Sequence, residues 1–347
     1  MNRGYIAPAT TQLIHLPTRG SVVCSSVIER PGGSPVTSWT PDSPLEPRFL
    51  IYSVTKTFTA TLILKLCDSG LLDLGDLLAR WFPDVPKASR ISVKQLLNHT
   101  AGIPDYGALP QYHDDLRNAP TRPWSFERFA AETFEKGLLF PPGQGWSYSN
   151  PGYMLLKRIA ELAGGKPYAA LLAEHITAPL GLIDTALVES LEDMAALAPG
   201  VSHLLSPNGE PLDVRAYYHP GWVSHGVLGS TCSDVVRFLD ALFQGTLLSR
   251  EAVDAMLDLV DLGDTATSDT ESSPLRPGKP DYGLGIMGDP ASPWGLLLGH
   301  NGGGPGYTAS AFHARDFGIS VCGMAAVEKG FSTELVVADA LDARLKR

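Results

Sequence analysis

Two residues that could carry out acyl-transfer chemistry stand three positions apart near residue 55. Ser53 and Lys56 belong to the segment Ser-Val-Thr-Lys, between an apolar stretch and a predicted helix over 56–68. If a helix begins here, the serine opens it and the lysine lies one turn later on the same face. A serine hydroxyl needs a base for its proton and donors for the oxyanion. A helix start supplies free N–H groups, and its positive end together with burial lowers the pKa of a nearby lysine.

Taken alone, this spacing also fits a helix cap followed by a solvated lysine. Two further motifs in the right order favour the catalytic interpretation: Tyr-Ser-Asn at 148–150 and His-Asn-Gly at 300–302. Together the three resemble the signature of the serine β-lactamase and penicillin-binding-protein superfamily.

The resemblance extends from about residue 49 to about residue 312 and is strongest to the class C β-lactamase-like branch. Within that branch the chain is similar to D-amino acid amidases, D-aminopeptidases, DD-carboxypeptidases and β-lactamase-fold esterases. The resemblance implies an α+β fold, in which a mixed α/β domain contains an antiparallel sheet formed by both chain ends and a mainly helical domain is inserted.

The resemblance also implies a two-step acyl transfer. Ser53 would attack a carbonyl, and a pair formed by Lys56 and Tyr148 would take the proton and pass it to the leaving group. Water would then resolve the acyl-enzyme. Which of the two groups is the main base stays open, because the protonation state of two groups in contact belongs to the pair.

Three other positions gain roles from the same resemblance. The backbone N–H groups of Ser53 and Gly303 would hold the oxyanion, Asn150 would bond Lys56 or a substrate amide oxygen, and His300 would orient Tyr148 and line the pocket. The alternative for 300–304 is a plain turn between strands.

One substitution bears on the substrate class, which the sequence otherwise leaves open. Many β-lactamases and DD-peptidases have lysine where this chain has His300, and a permanent cation there attracts a substrate carboxylate. Because histidine is largely neutral near pH 7, we expect amides or esters without a carboxylate at that place.

Further pocket residues are expected around these motifs. D-amino acid amidases place an acidic residue after the Pro-Asp-aromatic turn to receive a substrate ammonium, whereas this chain has Gly107 there. Asp114 or Asp115 would substitute if the loop folds inward. The other candidates are Asn301, Gly302, Trp146 and Trp222. The two tryptophans would form an apolar acyl site, with core packing as the alternative.

The composition favours a soluble enzyme. Of the 347 residues 44% are hydrophobic, and the net charge of −10 disfavours nucleic acid and anionic membranes as partners. The start of the chain lacks an apolar signal region, which predicts a cytoplasmic protein. No cofactor or metal site is expected, and the oligomeric state stays open. The four cysteines are expected to be reduced core thiols: Cys24, Cys67, Cys232 and Cys322.

The pattern of elements predicts two folding units. Strand-like segments lie at both ends, at 21–30, 36–40, 294–299, 307–315 and 319–327, with helical periodicity between them. We therefore expect a sheet domain from 1–58 and 281–347, and a mainly helical domain with active-site loops over 59–280. The segments 109–123 and 254–280 are predicted to be linkers or lids. His99 is expected to be a buried hydrogen-bonding residue.

The expected function is hydrolysis of a small amide or peptide through an acyl-enzyme, of the amidase or D-stereospecific peptidase type. The alternatives are a carboxylesterase, a transacylase and a penicillin-binding sensor that acylates without turnover.

Overall fold

The computed structural model describes residues 22–41, 43–206, 208–262, 274–275 and 281–345. Most of the predicted lid at 254–280 lies outside these described residues. The helices and strands below are numbered in chain order.

One antiparallel sheet dominates the described fold. Its strands follow the order β2-β1-β13-β12-β11-β10-β9-β8. They span Val23–Ile28 (β1), Val36–Thr40 (β2), Val260–Asp261 (β8), Asp281–Tyr282 (β9), Met287–Ser292 (β10), Gly295–Gly304 (β11), Tyr307–Ala314 (β12) and Ile319–Ala325 (β13). Since β1 pairs with β13 over six residues, the two chain ends meet in one sheet. The predicted α+β class with a sheet from both ends is confirmed.

Shorter strands lie outside this sheet. Phe49–Leu50 (β3), Val227–Ser230 (β7) and Ala186–Val188 (β4) form one small sheet, and Val201–Ser202 (β5) pairs with Leu212–Asp213 (β6). The contact between β3 and β7 places the segment before Ser53 beside the segment after His225.

Helices lie between and after these strands. They span Thr55–Asp68 (α1), Val93–Leu97 (α2), Pro110–Asn118 (α3), Phe126–Phe134 (α4), Asn150–Gly164 (α5), Tyr168–Leu172 (α6), Ala178–Leu180 (α7), Leu191–Ala195 (α8), Cys232–Phe243 (α9), Arg250–Met256 (α10) and Thr333–Leu345 (α11). The α1 helix is buried along almost its whole length, which is why its sequence lacks a polar face.

The sheet buries both of its faces. Side chains alternate along β13, so Cys322 and Met324 join the core cluster that contains α1 and α9, whereas Val321 packs in a second cluster with Val337 and Leu341 of α11. This double burial explains the continuous apolar sequence of the strand.

Two sequence predictions need local correction. Part of the predicted linker at 109–123 forms α3, which begins with Pro110 at its first position. The segment 300–304 is part of β11, so the plain-turn alternative is wrong. The domain boundaries at 58 and 281 stay a prediction.

Candidate active site

Ser53 lies in a strained turn that leads into α1. It is the middle residue of a 3-10 turn, Tyr52–Val54, and Tyr52 has a φ of +42°, a region that non-glycine residues rarely occupy. The Tyr52 hydroxyl donates to the Pro305 carbonyl at 2.6 Å, and its side chain is buried. Buried anchoring of this kind holds a strained residue in place, as is frequent at functional sites.

Lys56 lies one turn later and has no solvent exposure. Its Nζ atom is 3.2 Å from Ser53 Oγ, 2.7 Å from Asn150 Oδ1 and 2.9 Å from His225 Nε2. The structure therefore brings together the predicted serine, lysine and asparagine. The alternative of a solvated lysine after a helix cap is wrong.

Burial lowers the pKa of Lys56 to about 7, because the charged ammonium is disfavoured away from water. The negative charge of Asp105 opposes this effect and raises the pKa. Near neutral pH a large share of Lys56 is therefore an uncharged amine, which is the form that can accept a proton from Ser53.

The Tyr148 ring lies beside the lysine, with its centroid 4.8 Å from Lys56 Nζ. Burial raises the pKa of Tyr148 well above its usual value, and contact with the Ser53 side chain offsets only part of that rise. The hydroxyl is buried and has no hydrogen-bond partner at ordinary geometry among the described residues. Tyr148 is therefore a protonated phenol at neutral pH, so it can donate a proton but cannot accept one from Ser53 without first losing its own.

Asn150 is oriented by an aspartate that the sequence predictions did not include. Asp105 accepts from the backbone N–H of Asn150 at 2.9 Å and from its Nδ2 at 3.3 Å. Since Nδ2 donates to the carboxylate, Oδ1 is the amide atom that faces Lys56. Burial raises the pKa of Asp105, whereas hydrogen bonds from Asn150 and the charge of Lys56 lower it.

His99 shapes the loop that carries Tyr148. Its Nδ1 accepts from the Ser149 N–H at 3.1 Å, and its ring centroid is 4.4 Å from that of Tyr148. Burial holds the pKa of His99 well below its usual value, so the ring is neutral. The prediction of a buried hydrogen-bonding residue is confirmed.

His300 lies on β11, and its ring faces those of Tyr148 and Tyr282. Its Nδ1 is 2.5 Å from the Asn301 carbonyl oxygen, and its Nε2 is 3.0 Å from the Tyr282 hydroxyl. Because a carbonyl only accepts, Nδ1 donates to Asn301, and the Tyr282 hydroxyl is the partner of Nε2. The Tyr148 ring is 6.2 Å away, and its hydroxyl does not bond His300. The structure therefore shows no hydrogen bond by which His300 would orient Tyr148. The hydroxyl that bonds His300 Nε2 is that of Tyr282.

The glycines after His300 let β11 approach the nucleophile closely. A Cβ atom on Gly302 would come within 2.2 Å of the Ile51 carbonyl oxygen and 3.2 Å of Ser53 N, whereas one on Gly303 would make an ordinary contact with Thr308 Cγ2 at 3.9 Å. The register with β10 ends at Gly299, while β12 pairs through Gly304. Within the described part of the chain, one edge of β11 beyond Gly299 has no strand partner, and this segment borders Ser53, which is the arrangement needed for an oxyanion-binding N–H.

The predicted pocket tryptophans lie in packed surroundings. Trp222 has no solvent exposure, and its indole N–H donates to the Pro120 carbonyl at 2.9 Å, so the core-packing alternative holds for this residue. Trp146 is half-buried, with its ring centroid 5.9 Å from those of His99 and Tyr282.

The other pocket candidates are bound to neighbouring elements. Asp114 pairs with Arg117 on α3, and Asp115 pairs with Arg128 of α4. The predicted role of either aspartate in ammonium binding is not supported, because α3 presents both to arginines. The Asn301 side chain donates to Glu334 of α11 and lies on the opposite face of β11 from His300.

Sequence reasoning missed three residues of this site. Asp105 stood inside a segment that resembled the family but was interpreted as a turn, and Tyr282 and His225 carried no motif. His225 is 169 positions from Lys56 along the chain. Only the pairing of β3 with β7 brings the two segments together.

Among the described residues, no group of His, Cys, Asp and Glu side chains is arranged to hold a metal ion. The same residues contain no helix that is long and apolar enough to cross a membrane.

Comparison with known proteins gives the site a family context. A family model described as Beta-lactamase matches residues 17–342. Penicillin-binding protein 4* of Bacillus subtilis (strain 168) is 29% identical over 272 residues, covering 75% of this chain and 56% of that protein. Esterase EstB of Burkholderia gladioli is 26% identical over 297 residues, covering 73% of both. The chain thus spans little more than half the length of the Bacillus relative.

A solved structure agrees over nearly the full length. The D-amino acid amidase of Ochrobactrum anthropi SV3, in complex with L-phenylalanine amide, superposes with a TM-score of 0.77 at 28% identity and 94% coverage of both chains. Because the family match extends over almost all of its residues, this chain belongs to the beta-lactamase family, whose members are serine hydrolases.

Proposed function

We propose that this chain is a serine hydrolase that forms an acyl-enzyme on a small amide or peptide, of the amidase or D-stereospecific peptidase type. The observation that carries the proposal is the fully buried Lys56, which contacts Ser53 Oγ at 3.2 Å and has a pKa of about 7. A buried amine with this pKa beside a serine hydroxyl is suited to act as a general base near neutral pH.

Acylation begins with Ser53. The Oγ–H bond breaks as Oγ bonds the substrate carbonyl carbon, and the proton passes to Lys56 Nζ. The backbone N–H groups of Ser53 and Gly303 hold the oxyanion. Lys56 is the main base in this scheme, because the raised pKa of Tyr148 keeps its phenol protonated.

Tyr148 acts in the second half of acylation. Its phenol gives a proton to the leaving nitrogen or oxygen as the carbonyl–leaving-group bond breaks, and the Lys56 ammonium returns a proton to the phenol oxygen. Water then attacks the ester carbonyl and gives a proton to Lys56, which passes it to Ser53 Oγ as the ester bond breaks. The net reaction is hydrolysis of one acyl bond.

His300 bears on the substrate class. Its two ring nitrogens bond Asn301 and Tyr282, and its side chain is buried. This arrangement supplies no permanent cation where a substrate carboxylate would need one, which supports amides and esters without a carboxylate there. Because Asp114 and Asp115 pair with arginines, the same reasoning disfavours a substrate whose ammonium depends on those aspartates.

A second candidate is a carboxylesterase, which the similarity to esterase EstB supports over 73% of both chains. A transacylase and a non-turnover penicillin-binding sensor use the same first step. These functions differ in the acyl donor and in the fate of the acyl-enzyme.

The test is turnover of D- and L-phenylalanine amide, p-nitrophenyl acetate and benzylpenicillin by the wild type and by Ser53→Ala. We expect hydrolysis of an amide, lost by at least about a thousandfold in the variant, with unchanged circular dichroism. Turnover of the acetate alone would replace the amidase with the esterase. A stable penicillin adduct without turnover would favour the sensor, and full activity of Ser53→Ala would reject the mechanism.

A further inference from the structure

His225 contacts the catalytic lysine but has no task in the mechanism above. It stands in the connection that precedes β7, with its side chain about 1% exposed. Its Nε2 lies 2.9 Å from Lys56 Nζ. Its Nδ1 is buried and has no hydrogen-bond partner among the described residues. Among the described residues, Lys56 is therefore the hydrogen-bond partner of the His225 ring.

The chemistry of an uncharged lysine gives the contact a specific meaning. A neutral amine has two N–H bonds and one lone pair, and only the lone pair can take the Ser53 proton. Three groups surround Nζ within hydrogen-bond distance: Ser53 Oγ, Asn150 Oδ1 and His225 Nε2. Asp105 fixes the Asn150 amide so that its oxygen accepts from Lys56. If His225 Nε2 also accepts, both N–H bonds are used and the lone pair is directed at Ser53.

We propose that His225 is a positioning residue, whose unprotonated Nε2 accepts a hydrogen bond from Lys56 and thereby aims the amine lone pair at Ser53. This inference deepens the proposed function and rests on it. The opposite tautomer, with a proton on Nε2, would donate to the lone pair of Lys56 and block the base. The two tautomers thus predict opposite effects on acylation.

The same acceptor serves after proton transfer. The Ser53 proton then sits on Lys56, and the ammonium has three N–H bonds. Two of them keep their acceptors, Asn150 Oδ1 and His225 Nε2, and the third is free to return the proton to the phenol oxygen of Tyr148. His225 therefore holds the lysine in one orientation in both protonation states, which limits the rearrangement that the reaction requires.

The surroundings keep the imidazole uncharged. Burial lowers the pKa of His225 well below its usual value, and the nearby positive charge of Lys56 lowers it further. His300, Lys157 and His99 act in the same direction. The Tyr153 ring also packs against it at 6.5 Å between centroids. An uncharged ring with one free acceptor is the form that the proposal requires.

The kinetic test compares His225→Ala with His225→Gln, because the glutamine amide oxygen reaches about as far as Nε2 and can accept the same bond. His313→Ala is the matched control: His313 is also buried, and its Nδ1 is 2.8 Å from Ser320 Oγ between β12 and β13. The readouts are the burst rate with p-nitrophenyl acetate, KM, and the pH dependence of the burst.

We expect His225→Ala to slow the burst roughly ten- to a hundredfold with KM changed less than about threefold. Glutamine should restore most of the rate, and His313→Ala should keep it within about twofold. In His225→Ala the acid limb should move to lower pH, because an ammonium loses more than a neutral amine when an acceptor is removed. Unchanged kinetics in His225→Ala, or glutamine no better than alanine, would overturn the proposal.

A second measurement does not depend on turnover. Nitrogen-15 NMR of histidine-labelled protein reports which ring nitrogen carries the proton, and His225→Gln assigns the signal. A proton on Nδ1 of His225 at pH 7 supports the proposal, and a proton on Nε2 overturns it. Retained turnover in Ser53→Ala would instead reject the proposed function, so the two failures are distinguishable.

Discussion

Two sets of charged groups in this protein illustrate opposite uses of charge. Lys56 is fully buried among Ser53, Asn150 and His225, whereas Asp114 and Asp115 of α3 pair with Arg117 and Arg128 at the surface. In the α3 pairs the side chains are a quarter to just over half exposed. The same type of chemical group is therefore desolvated in one region and screened by water in the other.

The difference explains where the chemistry can occur. Burial shifts the pKa of Lys56 to about 7 and turns it into a base, at a cost to the stability of the folded protein. Ion pairs at the surface contribute only about 0–1 kcal/mol each. The comparison therefore predicts large effects when the buried groups are changed and small effects on α3.

The largest effect is expected for Lys56→Met. Turnover should fall at least about a thousandfold, because Ser53 loses its base. The variant should also be more stable than the wild type, because methionine fills the site without an amine that must lose its proton or be buried charged.

The stability gain should depend on pH in a defined direction. Between pH 7 and about 10.5 the unfolded chain binds a proton that the folded Lys56 has lost, so wild-type stability rises with pH over this window. The gain from methionine should be largest below pH 7, on the order of 3–5 kcal/mol, and smaller at pH 9. Thermal unfolding of both proteins at pH 6 and pH 9 measures it. A larger gain at pH 9 would contradict a lowered pKa.

A smaller loss is expected for Asp105→Asn. The wild-type carboxylate bonds Asn150, and its negative charge raises the pKa of Lys56. The substitution removes that charge, so the pKa of Lys56 should fall. We expect turnover to fall roughly ten- to a hundredfold, because the Asn150 amide can then rotate. The acid limb of kcat/KM should move to lower pH, since Lys56 loses its proton more readily. An acid limb that moves to higher pH would refute the electrostatic link between the two residues.

The smallest effect is expected for Asp115→Asn, the same chemical change on α3. Turnover should stay within about twofold and the free energy of unfolding within about 1 kcal/mol, because the pair with Arg128 is exposed. The measurement is kcat/KM for D-phenylalanine amide beside p-nitrophenyl acetate. Loss of activity on the amine-bearing amide alone would restore Asp115 as an ammonium-binding residue.

The sequence predicted the parts of this site that lie in motifs. Ser53, Lys56 and Asn150 were found because their spacing and order are local properties, and the structure joins them by hydrogen bonds. The predicted strand segments correspond to β1, β2, β11, β12 and β13, because periodicity follows from burial on one face, whereas β3 to β10 were not predicted.

The parts that were missed depend on packing between distant segments. His225 meets Lys56 only when β3 and β7 pair, and Tyr282 meets His300 only when β9, β10 and β11 assemble. The candidates at Trp222, Asp114 and Asp115 failed for a related reason. Their residue types suited a pocket, but neighbouring elements use them for core packing or ion pairs.

The most direct test of the account is intact-protein mass spectrometry after brief incubation with p-nitrophenyl acetate and with D-phenylalanine amide, followed by mapping of the modified peptide. The account predicts a transient acyl adduct on Ser53, which forms faster as pH rises through about 7 and is absent in Ser53→Ala. An adduct on another residue, or one that persists in Ser53→Ala, would contradict the assignment of Ser53 as nucleophile and Lys56 as its base.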